Sequence, residues 1–141
     1  MKPPEPRVFV RHTHDYQARS PRARYRLIRE RLSMDKKSLT AVARQQLKLA
    51  AAATSGRSSQ TLCGGHTHSL RQTVIALTAG QSLAEHENPG EATLQVLSGT
   101  LTLIAGAKEW KGSPGDLLVI PDARHSVKAL DDVAFLLTVA K

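Results

Sequence analysis

The sequence predicts a mainly β protein, an antiparallel sandwich or small barrel preceded by one or two α-helices. Three observations predict it. Beyond residue 57 the apolar residues recur with a period of two, in short runs bounded by Gly or Pro. Seven or eight such runs follow one another at roughly ten-residue spacing, with no helical pattern between them. Ahead of them, one segment carries its apolar residues at helical spacing instead. With 141 residues, the chain has enough material for one domain with a hydrophobic core.

Residues 1–20, MKPPEPRVFVRHTHDYQARS, are rich in Pro and Arg and read as disordered. Ser20 and Pro21 then cap and open a basic helix, RARYRLIRERLS, with Tyr25, Ile28 and Leu32 on one face. Residues 1–33 hold nine Lys/Arg against three acids, a net +6, whereas residues 34–141 hold eleven against nine, a net +2. The overall +8 is therefore a property of the leader, which suits weak, non-specific contact with nucleic acid. A solvated leader without a role is the plainer reading. Met34 stands where the composition changes, so residues 1–33 also read as an upstream extension of a protein that starts there. His12 and His14 have chelate-like spacing, but nothing rigid frames them.

Residues 38–53, SLTAVARQQLKLAAAA, form the clearest helix, with Ser38 as N-cap and Leu39, Val42, Leu47 and Ala50 on one apolar face. Thr-Ser-Gly at 54–56 ends it. The β runs follow: TLC before Gly64-Gly65, then LRQTVIAL (70–77), QSLAEH, ATLQVL, TLTLIAG, KEWK, DLLVI, HSVKAL and VAFLLTVA. The expected organisation is a leader at 1–33, a helical segment at 34–56 and a barrel at 57–141.

Several function classes drop out. No run of 18 apolar residues is present to span a membrane, and the N-terminus lacks the apolar core of a secretory signal. A single cysteine, Cys63, excludes an internal disulfide and a cysteine zinc cluster, and suits a reducing, cytoplasmic setting. Cys63 itself reads as a small buried apolar residue. There is no phosphate-binding glycine loop, Gly-x-Ser-x-Gly elbow or His-Glu-x-x-His helix. An aromatic content of 4% argues against a base-stacking surface.

The stretch that carries chemistry is EHENPGEATLQVLSG, residues 85–99. Gly80 is followed by five residues and His86; Asn88 comes two later, then Glu91, and Gly99 closes the stretch. Further on, Gly115 is followed by DLLVI, Pro121 and His125. On these residues the chain from about 70 to 140 resembles a cupin, a jelly-roll β-barrel whose two motifs carry this glycine, histidine and proline spacing. The likeness is greatest to short single-domain bacterial cupins with a helix before the conserved barrel.

The resemblance implies a metal site of three imidazoles and one carboxylate at the barrel mouth, suited to Fe, Mn, Ni, Cu or Zn. Here the set is eroded. His86 and His125 stand at ligand positions, the latter one residue early. Asn88 replaces the second histidine, and Ala92 holds the place of the carboxylate, with Glu91 one residue ahead of it. If the family register holds, Ala92, Leu94 and Val96 face inward, and Glu91, Thr93 and Gln95 face out. A slip of one residue reverses this and brings Glu91 and Gln95 into the cavity. The candidate metal ligands are His86, His125 and Glu91; the candidate ligand-binding residues are Asn88, Gln95 and Arg71, the last as an anion-binding group. His66 and His68 form a second pair that shares one face if the strand starts at His66.

The leading expectation is a cupin that binds a small molecule in its barrel, with one divalent transition metal held weakly or none. A metal-dependent dioxygenase, isomerase or decarboxylase is the alternative, and a nucleic-acid-associated regulator acting through the leader is a third. A homodimer is expected, because exposed edge strands need covering.

Overall fold

The computed structural model describes residues 34–86 and 90–141. The leader, its basic helix, the His12/His14 pair and the nucleic-acid reading therefore lie outside the described residues, as do Asn88 and the side chain of His86. Lys37–Lys141 is one compact unit, divided from Met1–Lys36.

Among the described residues there is one helix, α1 (Leu39–Ala52), and it starts where the sequence predicts. Ser38 caps it, its hydroxyl accepting from the Ala41 N–H at 3.2 Å. Ala53 leaves the helix in an extended conformation, and Gly56 turns the chain at a φ of 66°. The buried face differs from the expected one: it consists of Val42, Ala43, Gln46 and Ala50, while Leu39 and Leu47 are half-buried. Small side chains let the helix lie close to a sheet, and the leucines straddle its margins.

Among the described residues nine strands follow: β1 (Arg57–Cys63), β2 (Leu70–Leu77), β3 (Ser82–His86), β4 (Glu91–Ser98), β5 (Leu101–Ala105), β6 (Lys108–Gly112), β7 (Leu117–Val119), β8 (His125–Ala129) and β9 (Val133–Ala140). β1 begins four residues before the expected TLC run, because the RSSQ that opens it shows no apolar alternation. Pairing is antiparallel throughout, in one sheet ordered β1-β2-β9-β4-β7 and a second ordered β3-β8-β5-β6. This is the predicted jelly-roll class.

Alternation decides what each sheet buries. Leu77, Leu94, Val96, Leu101, Leu103, Val127, Val133 and Phe135 form the interior core. On the opposite face of the larger sheet, Val74, Ala76, Ala134 and Leu136 lie under α1. Gln46 is buried in that contact and fully engaged, donating to Gln60 Oε1 at 3.3 Å and accepting from the Ser58 hydroxyl at 2.5 Å.

The two ends of the barrel differ. The turns β2–β3, β4–β5, β6–β7 and β8–β9 gather at one end, which hydrogen bonds close. Gly80 N–H donates to Ala129 O at 2.9 Å, Leu130 N–H to Thr100 O at 3.0 Å and Ala79 N–H to Asp132 Oδ1 at 2.8 Å. Thr100 Oγ1 donates to Asp131 Oδ2 at 2.6 Å. Gly99 turns there at a φ of 74°, where a Cβ would meet Asp132 O at 2.1 Å. At the other, open end lie the start of β2, the end of β3, the starts of β4 and β8, and the end of β9. No helix among the described residues is long and apolar enough to cross a membrane.

Candidate functional site at the open end

β8 carries the one titratable side chain that is buried among the described residues. His125 is 2% exposed and stands on the same face of β8 as Val127 and Ala129, both members of the interior core. It follows a tight turn in which Ala123 N–H donates to Pro121 O at 2.8 Å. The turn aims the Ala123 carbonyl at the ring, and His125 Nδ1 lies 3.0 Å from it. A carbonyl oxygen only accepts, so Nδ1 carries the hydrogen and the lone pair of the neutral ring belongs to Nε2. This is the arrangement in which an imidazole serves as an oriented metal or ligand contact.

Position 86 is brought opposite position 125 by an irregularity in the ladder. Leu83 faces Val127 and His86 faces His125, so three steps along β3 match two along β8. The extra residue is a bulge, and it shifts the alternation of β3 by one. In an unbroken ladder Glu85 would stand opposite His125. Instead Glu85 is exposed and pairs with Arg124, Oε1 to Nε at 3.2 Å, a surface ion pair of little energetic weight.

The remaining candidates separate. Ala92, Leu94 and Val96 are buried in the interior, so the family register holds and the one-residue slip does not occur. Glu91 and Gln95 consequently lie off the interior face: Glu91 is exposed and Gln95 half-buried, opposite Leu136 of the helix-covered face. Glu91 instead lines a cavity of about 840 Å³ with Thr93, Val119, Asp122, Thr138 and Ala140 among its other walls. Thr93 faces both Val119 and Thr138 across the ladders, which places this cavity against the outward row of the larger sheet. Alternation along ATLQVL already held that outward row, but nothing in the sequence marks Asp122 as its neighbour.

Arg71 is half-buried and lies on the interior row of β2, opposite Val139. His66 and His68 precede β2 in a turn closed by His68 N–H to Gly65 O at 3.2 Å, both exposed, so the strand does not begin at His66. Cys63 is exposed rather than buried, because it ends the edge strand β1 beyond a bulge after Thr61.

A jelly roll of this order, with a histidine at the inward start of β8 and the Gly115–Pro121 segment before it, is matched by the model of the cupin domain over residues 73–140. This chain belongs to the cupin superfamily. Among solved structures, this cupin is similar to a conserved protein of unknown function from Streptococcus pyogenes. They share 28% identity over 63% of this chain and 77% of that one, with a TM-score of 0.57. A cupin 2 conserved barrel domain protein from Salinispora arenicola is 18% identical over 77% of this chain and 90% of its own, with a TM-score of 0.57. Salicylate 1,2-dioxygenase from Pseudoaminobacter salicylatoxidans is 21% identical over 71% of this chain and 33% of its own, with a TM-score of 0.59. These last two likenesses establish the fold. No curated protein matches the sequence.

The family's metal set can be set against the side chains present. His125 fits an imidazole position, buried and held through Nδ1. Glu91 does not fit the carboxylate position, since it lies off the interior face. No group of three His, Cys, Asp or Glu side chains converges among the described residues. They do not assemble the four-ligand site of the family.

Proposed function

We propose that this cupin binds a small molecule at the open end of its barrel, and that any divalent metal there is held weakly. His125 is the observation that carries the reading. An oriented imidazole within an apolar barrel is what a small-molecule site needs: apolar walls for affinity and few polar groups for orientation. The register that sets His86 opposite His125 supports a two-histidine contact, and the outward placement of Glu91 leaves that pair without its third candidate.

Metal analysis of protein purified without an affinity tag, before and after dialysis against a chelator, tests the metal part. Sub-stoichiometric metal after dialysis is expected. A full equivalent that survives would move the protein to the metal-dependent enzyme class. Thermal-shift screening with small organic molecules tests the rest, with His125→Ala as the comparison; stabilisation that the variant retains undiminished would sink the site.

Self-association is also proposed. Edge strand β7 exposes Leu117 and Val119, at 61% and 75% of their surface, and open apolar edges favour a covering partner. Light scattering that gives the monomer mass of 15.3 kDa at micromolar concentration would exclude it.

A further inference from the structure

We infer that Arg71 is the carboxylate-binding residue of the barrel, and that the small molecule it receives is an organic acid with an apolar body. The inference rests on the small-molecule reading above and narrows it to one ligand class.

Its position follows from β2. Leu77 is fully buried in the interior, Ile75 packs on that core, and the intervening Val74 and Ala76 lie under α1. The same alternation carries Thr73 and then Arg71 onto the interior row as β2 approaches the open end. Across the ladder Arg71 faces Val139, and Val139 faces Ala92, both apolar members of the interior cluster. One guanidinium thus completes a row whose other two side chains are hydrocarbon.

Arg71 is half-buried, and among the described residues its guanidinium makes no hydrogen bond or ion pair. A guanidinium is always charged and presents a planar fork of donors, so an interior-facing one that meets no acidic side chain among the described residues lacks there the group its geometry fits best. A carboxylate supplies two acceptor oxygens in the matching plane. Next along the row, Thr73 Oγ1 lies 3.2 Å from the exposed Thr61 Oγ1, and this bond leaves one hydroxyl proton of the pair to donate elsewhere. Leu137 and Val139, both half-buried, offer apolar surface beside it for the body of the ligand. His125 occupies the interior face of the second sheet at the same end.

The probes are hexanoate and benzoate, their neutral counterparts hexanamide and benzamide, and inorganic phosphate, each titrated calorimetrically into the full chain. Both acids are expected to bind, the amides about tenfold more weakly or worse, and phosphate not at all. Arg71→Gln should lower acid affinity by about tenfold while leaving amide affinity unchanged, and Arg71→Lys should fall between them. Acids and amides that bind alike, with Arg71→Gln indifferent, would overturn this inference and leave the barrel reading standing. Phosphate that binds as well as the acids would overturn the carboxylate class. If no organic probe binds, the barrel reading falls and this inference with it. Arg71→Lys keeps the test valid should Arg71→Gln fold poorly.

Discussion

At the closed end of the barrel Leu77, Val96, Leu101, Ala129 and Val133 are almost wholly buried, and side chains of Thr100, Asp131 and Asp132 tie the turns together. At the open end the same strands present Arg71, Ala92, His125 and Val139 to the interior, a mixture of charge, imidazole and hydrocarbon. Strands β2, β4, β8 and β9 each run from one regime into the other within four to six residues. The closed end carries enough apolar burial and turn bonding to hold the sheets in register, which frees the open end to keep polar groups that a core would reject. Stability and binding are thus separated along the strands rather than between domains.

Substitutions should divide along the same line. The largest effect belongs to Phe135→Ala in the fully buried interior, expected to cost about 3–5 kcal/mol in urea unfolding. A loss below about 1 kcal/mol would mean that the barrel is loosely packed where it should be tightest. Gly99→Ala comes next, at about 1–3 kcal/mol, because it strains a positive φ and presses a methyl onto the Asp132 carbonyl. At the open end His125→Ala should cost about 1–2 kcal/mol, from the space its buried ring leaves, while the exposed Ala123 can solvate its carbonyl; it should also remove whatever metal or ligand binding the protein has. An unfolded His125→Ala variant would show that the two ends are not separable. The smallest effects fall to Glu91→Gln and Gln95→Ala, within about 0.5 kcal/mol and without change in metal content. A drop in metal content for either one would bring those side chains back into the site.

How much of this was legible in the sequence differs between the two ends for the same physical reason. The strands announce themselves: ATLQVL alternates, LRQTVIAL and VAFLLTVA are β-rich apolar runs, and Gly80, Gly99 and Gly115 punctuate the turns at the closed end. β1 was read only at its end because an edge strand needs little apolar alternation, and RSSQ has none. Gln46 was unreadable as a core residue, since its burial depends on Ser58 and Gln60 meeting it from another element. The candidate site depended on parity. The sequence posed the two registers of β4 without choosing; burial of Ala92, Leu94 and Val96 chooses, and it sends Glu91 outward. His125, one residue early by family spacing, nonetheless faces inward, because the turn from Pro121 to Ala123 resets the chain before β8 begins.

The extra residue in β3 has a consequence for how this strand tolerates change. Because Leu83 faces Val127 while His86 faces His125, removing one residue between them would not scramble the far end. Deletion of Ala84 would leave Leu83, Glu85 and His86 facing Val127, Ser126 and His125 in unbroken sequence. Insertion of one residue there would have to enlarge the bulge or push position 86 out of line. The strand is therefore asymmetric towards length: it can absorb a loss and not a gain. What the bulge adds is curvature, so a shortened strand would keep its partner and lose its bend.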